Sequence, residues 1–132
     1  MFPATKTRSL LAALALAALC AGPALAQDRI EVLTTDTATP AEVPADAVTV
    51  TIDKMKYQQP EITIKAGSVV TWQNAEAMPH NVAFKAGAVA DEKLDGPMMK
   101  KGQSFSMRFN EPGTYDYHCT PHPFMKGKVI VE

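Results

Sequence analysis

From Ala47 onward the hydrophobic pattern has a period of two and is cut into short runs. Val48, Val50 and Ile52 alternate with Thr49, Thr51 and Asp53; Ile62 and Ile64 alternate with Glu61, Thr63 and Lys65. The pattern continues through Val70 and Trp72, Val82 and Phe84, then Phe105, Met107 and Phe109, Tyr115 and Tyr117, and last Val129 and Val131. Successive side chains of a strand point to opposite faces, so each run describes a strand with one face in the core and one in water. Turn sequences separate the runs: Lys65-Ala66-Gly67, Asp95-Gly96-Pro97, Lys101-Gly102 and Glu111-Pro112-Gly113. About eight short strands at this spacing predict an all-β fold, a two-sheet antiparallel sandwich. No stretch carries the period of a long amphipathic helix, and residues 89–94 have room for a turn or two at most. Closing two sheets on each other is also how a chain of this length buries a sufficient core.

Residues 1–26 have the order of a cleavable export signal. Lys6 and Arg8 precede an unbroken Leu/Ala run over residues 10–19, and Ala24-Leu25-Ala26 supplies the small residues of a cleavage site. The apolar run is well short of the ~20 residues that cross a bilayer as a helix. The expectation is a periplasmic protein with no membrane insertion after cleavage. Residues 27–46, rich in Thr, Ala, Pro and acid, read as an N-terminal extension without site residues, and residues 47–132 as the single functional domain. A net charge of −1 offers no basic surface for nucleic acid. Of the two cysteines in the 132-residue chain, cleavage removes Cys20 and leaves Cys119. A lone thiol in an oxidising compartment is a liability unless something occupies it.

Residues able to bind a soft metal are concentrated in two segments. One is Met78-Pro79-His80-Asn81; the other is Tyr117-His118-Cys119-Thr120-Pro121-His122-Pro123-Phe124-Met125. The second leaves one predicted strand and enters the last, which puts Cys119, His122 and Met125 on one tight loop. His80 begins another strand and can reach the same end of the sandwich. Each residue alone has a plainer explanation. A free cysteine is commonly a small buried hydrophobe, a methionine is commonly core filler, and an isolated histidine is commonly hydrogen-bonded or at the surface. Together, one thiolate, two imidazoles and a thioether match the trigonal His₂Cys site with a weak axial Met that serves blue-copper electron transfer. Pro121 and Pro123 stiffen the loop by fixing φ and by pushing Thr120 and His122 toward extended conformations. His118 follows Tyr117 on an alternating strand and is expected on the face away from Cys119, in a structural role.

The segments MPHNV, GPMMKK and GTYDYHCTPHPFMKGKVIVE resemble the amicyanin branch of the cupredoxin family, the type I blue copper proteins. The resemblance runs from about Val48 to Glu132 and is strongest at the C-terminal end. It implies a cupredoxin-like Greek-key two-sheet β-sandwich and one type I copper per chain. His80, Cys119 and His122 would be the strong ligands and Met125 the axial one. Asn81 would donate its backbone N–H to the Cys119 sulfur and tie its side chain to Thr120. Plastocyanin-like relatives have more residues between the loop His and Met, whereas two residues in each gap mark the amicyanin type. The implied function is single-electron transport and not enzymic turnover. Its implied partners are redox proteins, a quinoprotein amine dehydrogenase (methylamine dehydrogenase) as donor and a c-type cytochrome as acceptor. They would dock on a monomer at an apolar patch around His122, drawn from Met55, Met78, Pro79, Met98, Pro121, Pro123 and Phe124. Lys100, Lys101, Lys126 and Lys128 are either a basic rim that steers a partner or a solvated strand edge. Three rival readings use the same residues: a copper chaperone or storage protein, a structural zinc site, and a cysteine-dependent enzyme with His118 or His122 as base.

Overall fold

Alternating residues become strands wherever both faces have a use. The computed structural model describes residues 29–33 and 44–132; the expected export signal and most of the extension lie outside the described residues. Among the described residues there is no helix, and ten strands form two five-stranded sheets. The first sheet has the order β1 (Ile30–Val32), β8 (Ser104–Phe109), β5 (Ser68–Asn74), β2 (Val48–Asp53), β3 (Lys56–Tyr57). The second has the order β4 (Glu61–Ile64), β10 (Lys126–Val131), β9 (Gly113–His118), β6 (Ala83–Phe84), β7 (Leu94–Asp95).

The sequence leads to about eight strands. Seven of the ten observed strands answer to the alternating runs; the other three, β1, β3 and β7, are two or three residues long, too short for an alternation to register. Most neighbours are antiparallel, as expected, but β2 pairs parallel with β5 and β4 parallel with β10. The cause is the path of the chain. After β2 and β3 it crosses to the second sheet as β4, then returns as β5 beside β2 and in the same direction.

Trp72 of β5 lies at the centre, fully buried, with Tyr117 at 5.3 Å, Phe105 at 6.2 Å and Phe84 and Phe109 each at 6.4 Å between ring centroids. Val50, Ile52, Val70, Met107 and Val129 complete the core around it. Burying each of these apolar side chains contributes about 1.5–3 kcal/mol. Thr71, Ser104 and Ser106 depart from the expected wet face, since all three are buried. Small hydroxyls can be buried when they find partners, and Thr71 Oγ1 and Ser106 Oγ lie 2.8 Å apart.

Candidate metal centre

Strand β9 ends at His118 and β10 begins at Lys126, so residues 119–125 must turn the chain between two antiparallel neighbours. The turn is closed by its own backbone. Cys119 N–H donates to Met125 O (3.1 Å), His122 N–H to Cys119 O (3.2 Å) and Met125 N–H to His122 O (2.9 Å). Cys119, His122 and Met125 each sit at one corner of this hydrogen-bonded loop, which the two prolines stiffen further. His80 arrives from the connection between β5 and β6. Its backbone exchanges two hydrogen bonds with buried Met99, at 3.2 and 2.8 Å.

The loops bring three donors together. Nδ1 of His80 lies 3.7 Å and Nδ1 of His122 3.5 Å from Cys119 Sγ, and all three ligand atoms fall within 4.8 Å of one another. Donors bonded at about 2.0–2.3 Å around a trigonal centre stand roughly 3.6 Å apart, so the spacing fits one metal ion. Met125 is buried at the end of the same turn. The donor set is soft or borderline throughout, which suits copper in both oxidation states.

His80 and Cys119 are fully buried, while His122 is half-buried. Burial pushes the Cys119 thiol above its ordinary value, and the backbone N–H groups of Asn81 and His122 work against that rise by hydrogen bonding to the sulfur. Asn81 also joins the two ligand segments. Its side chain accepts from Thr120 N–H (2.8 Å) and donates to Thr120 Oγ1 (2.9 Å) and Gly96 O (3.2 Å). Tyr57 in turn donates its hydroxyl to Asn81 O at 2.7 Å.

Two features have no signal in the pattern of metal donors. Glu76 accepts a hydrogen bond from His80 Nε2 and another from Met55 N–H at 3.0 Å. Burial alone would raise the Glu76 carboxyl, but the N–H of Met55 and the ring of His80 outweigh it and hold the group below its ordinary range. The only trace in sequence is a carboxylate four residues before the histidine, which is weak evidence in a loop. Tyr57 is the other, and only its alternation with the core marks it.

His118 stands half-buried at the end of β9, beside a groove shared with Lys85, Asp116 and Lys126, and is not among the three converging donors. Of the methionines in the Gly-Pro turn, Met98 is exposed and Met99 fully buried; Met107 is core. Lys128 sits in register between Glu61 and Asp116, opposite charges on both neighbouring strands.

The two tyrosines near the site differ in a measurable way. Tyr57 has its acceptor, whereas the buried Tyr117 hydroxyl has none among the described residues; burial pushes its pKa up to about 12, with the neighbouring Trp72 N–H acting in the opposite direction. Tyr57→Phe is therefore expected to lower stability by about 1–2 kcal/mol, because Asn81 O is left unpaired. Tyr117→Phe should change it by less than about 0.5 kcal/mol. Urea midpoints of the two variants check this, and equal losses would contradict it.

A pattern describing copper-binding proteins of the plastocyanin/azurin family matches residues 44–132. The chain is 56% identical to the amicyanin of Paracoccus versutus over 132 residues, covering 100% of both chains. It is 54% identical to amicyanin-alpha of Methylorubrum extorquens over 125 residues, 95% of this chain and 99% of the relative. The crystal structure of the Paracoccus versutus amicyanin superposes with a TM-score of 0.76 at 59% identity, covering 80% of this chain and 100% of that one.

Proposed function

Because this chain belongs to the plastocyanin/azurin family of copper-binding proteins, in its amicyanin branch, and is a blue copper electron carrier as that family is, we propose that His80, Cys119 and His122 are its strong copper ligands and Met125 the weak axial one. The observation that carries this reading is the convergence of two Nδ1 atoms and one Sγ within 4.8 Å under a loop that ends at Met125. Bound there, copper supplies a one-electron couple. The protein's part is to hold the donors still while the charge changes. The hydrogen bonds across residues 119–125, the two prolines, the Asn81–Thr120 ties and the Met99 bridge to His80 all serve that end.

Electrons enter and leave at the His122 side. Met78, Met98 and Phe124 are the exposed large hydrophobic side chains among the described residues, and each flanks a ligand segment. Met78 stands two residues before His80, Met98 next to Met99, and the Phe124 ring 6.0 Å from that of His122. A small apolar surface of adaptable methionines suits a partner that must dock and release quickly. The partners in this reading are a quinoprotein amine dehydrogenase such as methylamine dehydrogenase as donor and a c-type cytochrome as acceptor, met in the periplasm after export.

Titration with Cu(II) tests the ligand set. One equivalent should give an intense blue band that ascorbate bleaches and an oxidant restores; bound copper without that band would remove Cys119 from the ligand set. Met98→Glu tests the docking face, since a charge inside an apolar patch opposes desolvation. The variant should keep the wild-type spectrum while its Kd for a donor dehydrogenase rises about tenfold, equivalent to about 1.4 kcal/mol. An unchanged Kd would move docking elsewhere.

A further inference from the structure

We propose that Glu76 is the positioning residue of the buried imidazole, its carboxylate holding His80 in the tautomer that bares Nδ1 and anchoring the Lys54–Met55 turn through the same oxygen. The proposal rests on the reading of His80 as a copper ligand and deepens it.

The two ring nitrogens of His80 have different partners. Nδ1 faces the Cys119 sulfur at 3.7 Å, and Nε2 faces Glu76 Oε1. An ionised carboxylate only accepts hydrogen bonds, so the proton between them belongs to Nε2. With Nε2 given to Glu76, Nδ1 is the ring nitrogen left to face the other donors. His122 differs: among the described residues no hydrogen bond reaches its Nε2, and it is held only through its backbone turn and its neighbours.

Glu76 is itself fixed. Its N–H donates to Asn74 Oδ1 at 3.1 Å, and Asn74 Nδ2 donates to Met78 O at 2.8 Å and Met99 O at 2.9 Å. Asn74 is fully buried. The side chain that positions His80 thus grows from a laced segment of backbone and not from a free loop.

The second partner of the carboxylate is a strained turn. Lys54 and Met55 form the two-residue connection of a hairpin in which Asp53 pairs with Lys56, and both have positive φ, 53° and 59°. Such turns favour Asn-Gly, because glycine and, among residues with a Cβ, chiefly Asn and Asp tolerate this conformation. A lysine and a methionine persist there only if something outside the turn holds them. Met55 N–H donates to the same Glu76 Oε1 at 3.0 Å. One atom therefore satisfies both the ring and the turn. Outer carboxylates of this kind commonly set the orientation and basicity of a metal-bound histidine.

The test compares Glu76→Ala, which removes acceptor and charge, with Glu76→Gln, which removes the charge but leaves an oxygen to accept. Glu132→Gln is the charge control, six strand residues away along β10 from the ligand loop, about 20 Å. In metal-free protein, long-range ¹H–¹⁵N spectra should show His80 protonated at Nε2 in the wild type and in Glu76→Gln, and a tautomer mixture in Glu76→Ala. Exchange of the Met55 amide should be at least tenfold faster in Glu76→Ala only. With metal, Cu(II) affinity should fall about 10- to 100-fold in Glu76→Ala, and less in Glu76→Gln. Each tenfold loss specific to Cu(II) raises the reduction potential by about 59 mV. A wild-type tautomer and Met55 protection in folded Glu76→Ala would overturn the proposal, as would an equal potential shift in Glu132→Gln. The metal-free readouts stand even if the wild type shows no blue band, which would instead sink the ligand reading.

Discussion

Cys119→Ala abolishes the intense visible band of the Cu(II) protein and leaves the sandwich folded. The band needs a thiolate bound to Cu(II), and Cys119 is the one cysteine among the described residues. The side chain is fully buried, and its loss removes little volume, so the stability cost is expected near 1 kcal/mol. Binding is a different matter. Loss of a partner that merely orients a ligand costs about 10- to 100-fold in metal affinity, so loss of a direct donor must cost more, and most for Cu(I), which prefers soft ligands. His80 and His122 remain, so weak Cu(II) binding with a pale spectrum is the expected residue of function. Absorption and copper titration on purified Cys119→Ala decide it. A persistent intense band would mean that the thiolate assignment is wrong.

That such a site can be found from sequence follows from where its donors sit. Cys119, His122 and Met125 are spaced so that one short turn between two strands carries all of them, and local spacing is visible in one dimension. His80 lies 39 residues before Cys119 and needed the chemistry, a second imidazole for a trigonal centre, to be singled out. Glu76 and Tyr57 stayed hidden because they touch the metal site only through another residue, the first through Nε2 of His80 and the second through Asn81 O. Nothing in their own sequence neighbourhoods reports those partners.

The fold was legible where a strand has a clean dry face and a clean wet one. β2 and β10 show this, with Val50, Ile52, Val129 and Val131 inward. It was less legible in the centre of the first sheet, where Thr71, Ser104 and Ser106 read as solvent residues but are buried. The parallel pairing of β2 with β5 was hidden for another reason. Alternation gives the faces of a strand but not its neighbour or direction, which the crossing of the chain between sheets decides.

Gly127→Ala is the backbone-level counterpart of the Cys119 prediction, and its expected effect on stability is the largest. Gly127 of β10 lies directly opposite Tyr117 of β9, so the two residues face the core side by side. The Tyr117 ring lies across the glycine. A Cβ placed there would stand 2.5 Å from Tyr117 Cε2 and closer still to Cζ and the hydroxyl oxygen. The ring cannot move aside cheaply, because Tyr57 meets it edge-on at 4.8 Å and Trp72 at 5.3 Å. Overpacking of a filled core costs about 1–3 kcal/mol and sometimes more, and the rigidity of this cluster places Gly127→Ala at the upper end. For a domain of this size that corresponds to a fall in Tm of roughly 10–20 °C. The ligand loop should feel it as well, since Cys119 stands two residues after Tyr117 and Met125 two residues before Gly127. Cys119 and Met125 are then held by strand ends that no longer pair cleanly, and the Cys119 N–H to Met125 O bond should exchange faster. A double-mutant cycle separates the clash from any intrinsic loss. With Tyr117→Leu in the background, adding Gly127→Ala should cost less by 1 kcal/mol or more, because the atoms in conflict are gone. Additive costs would show that the ring and the glycine do not interact as described.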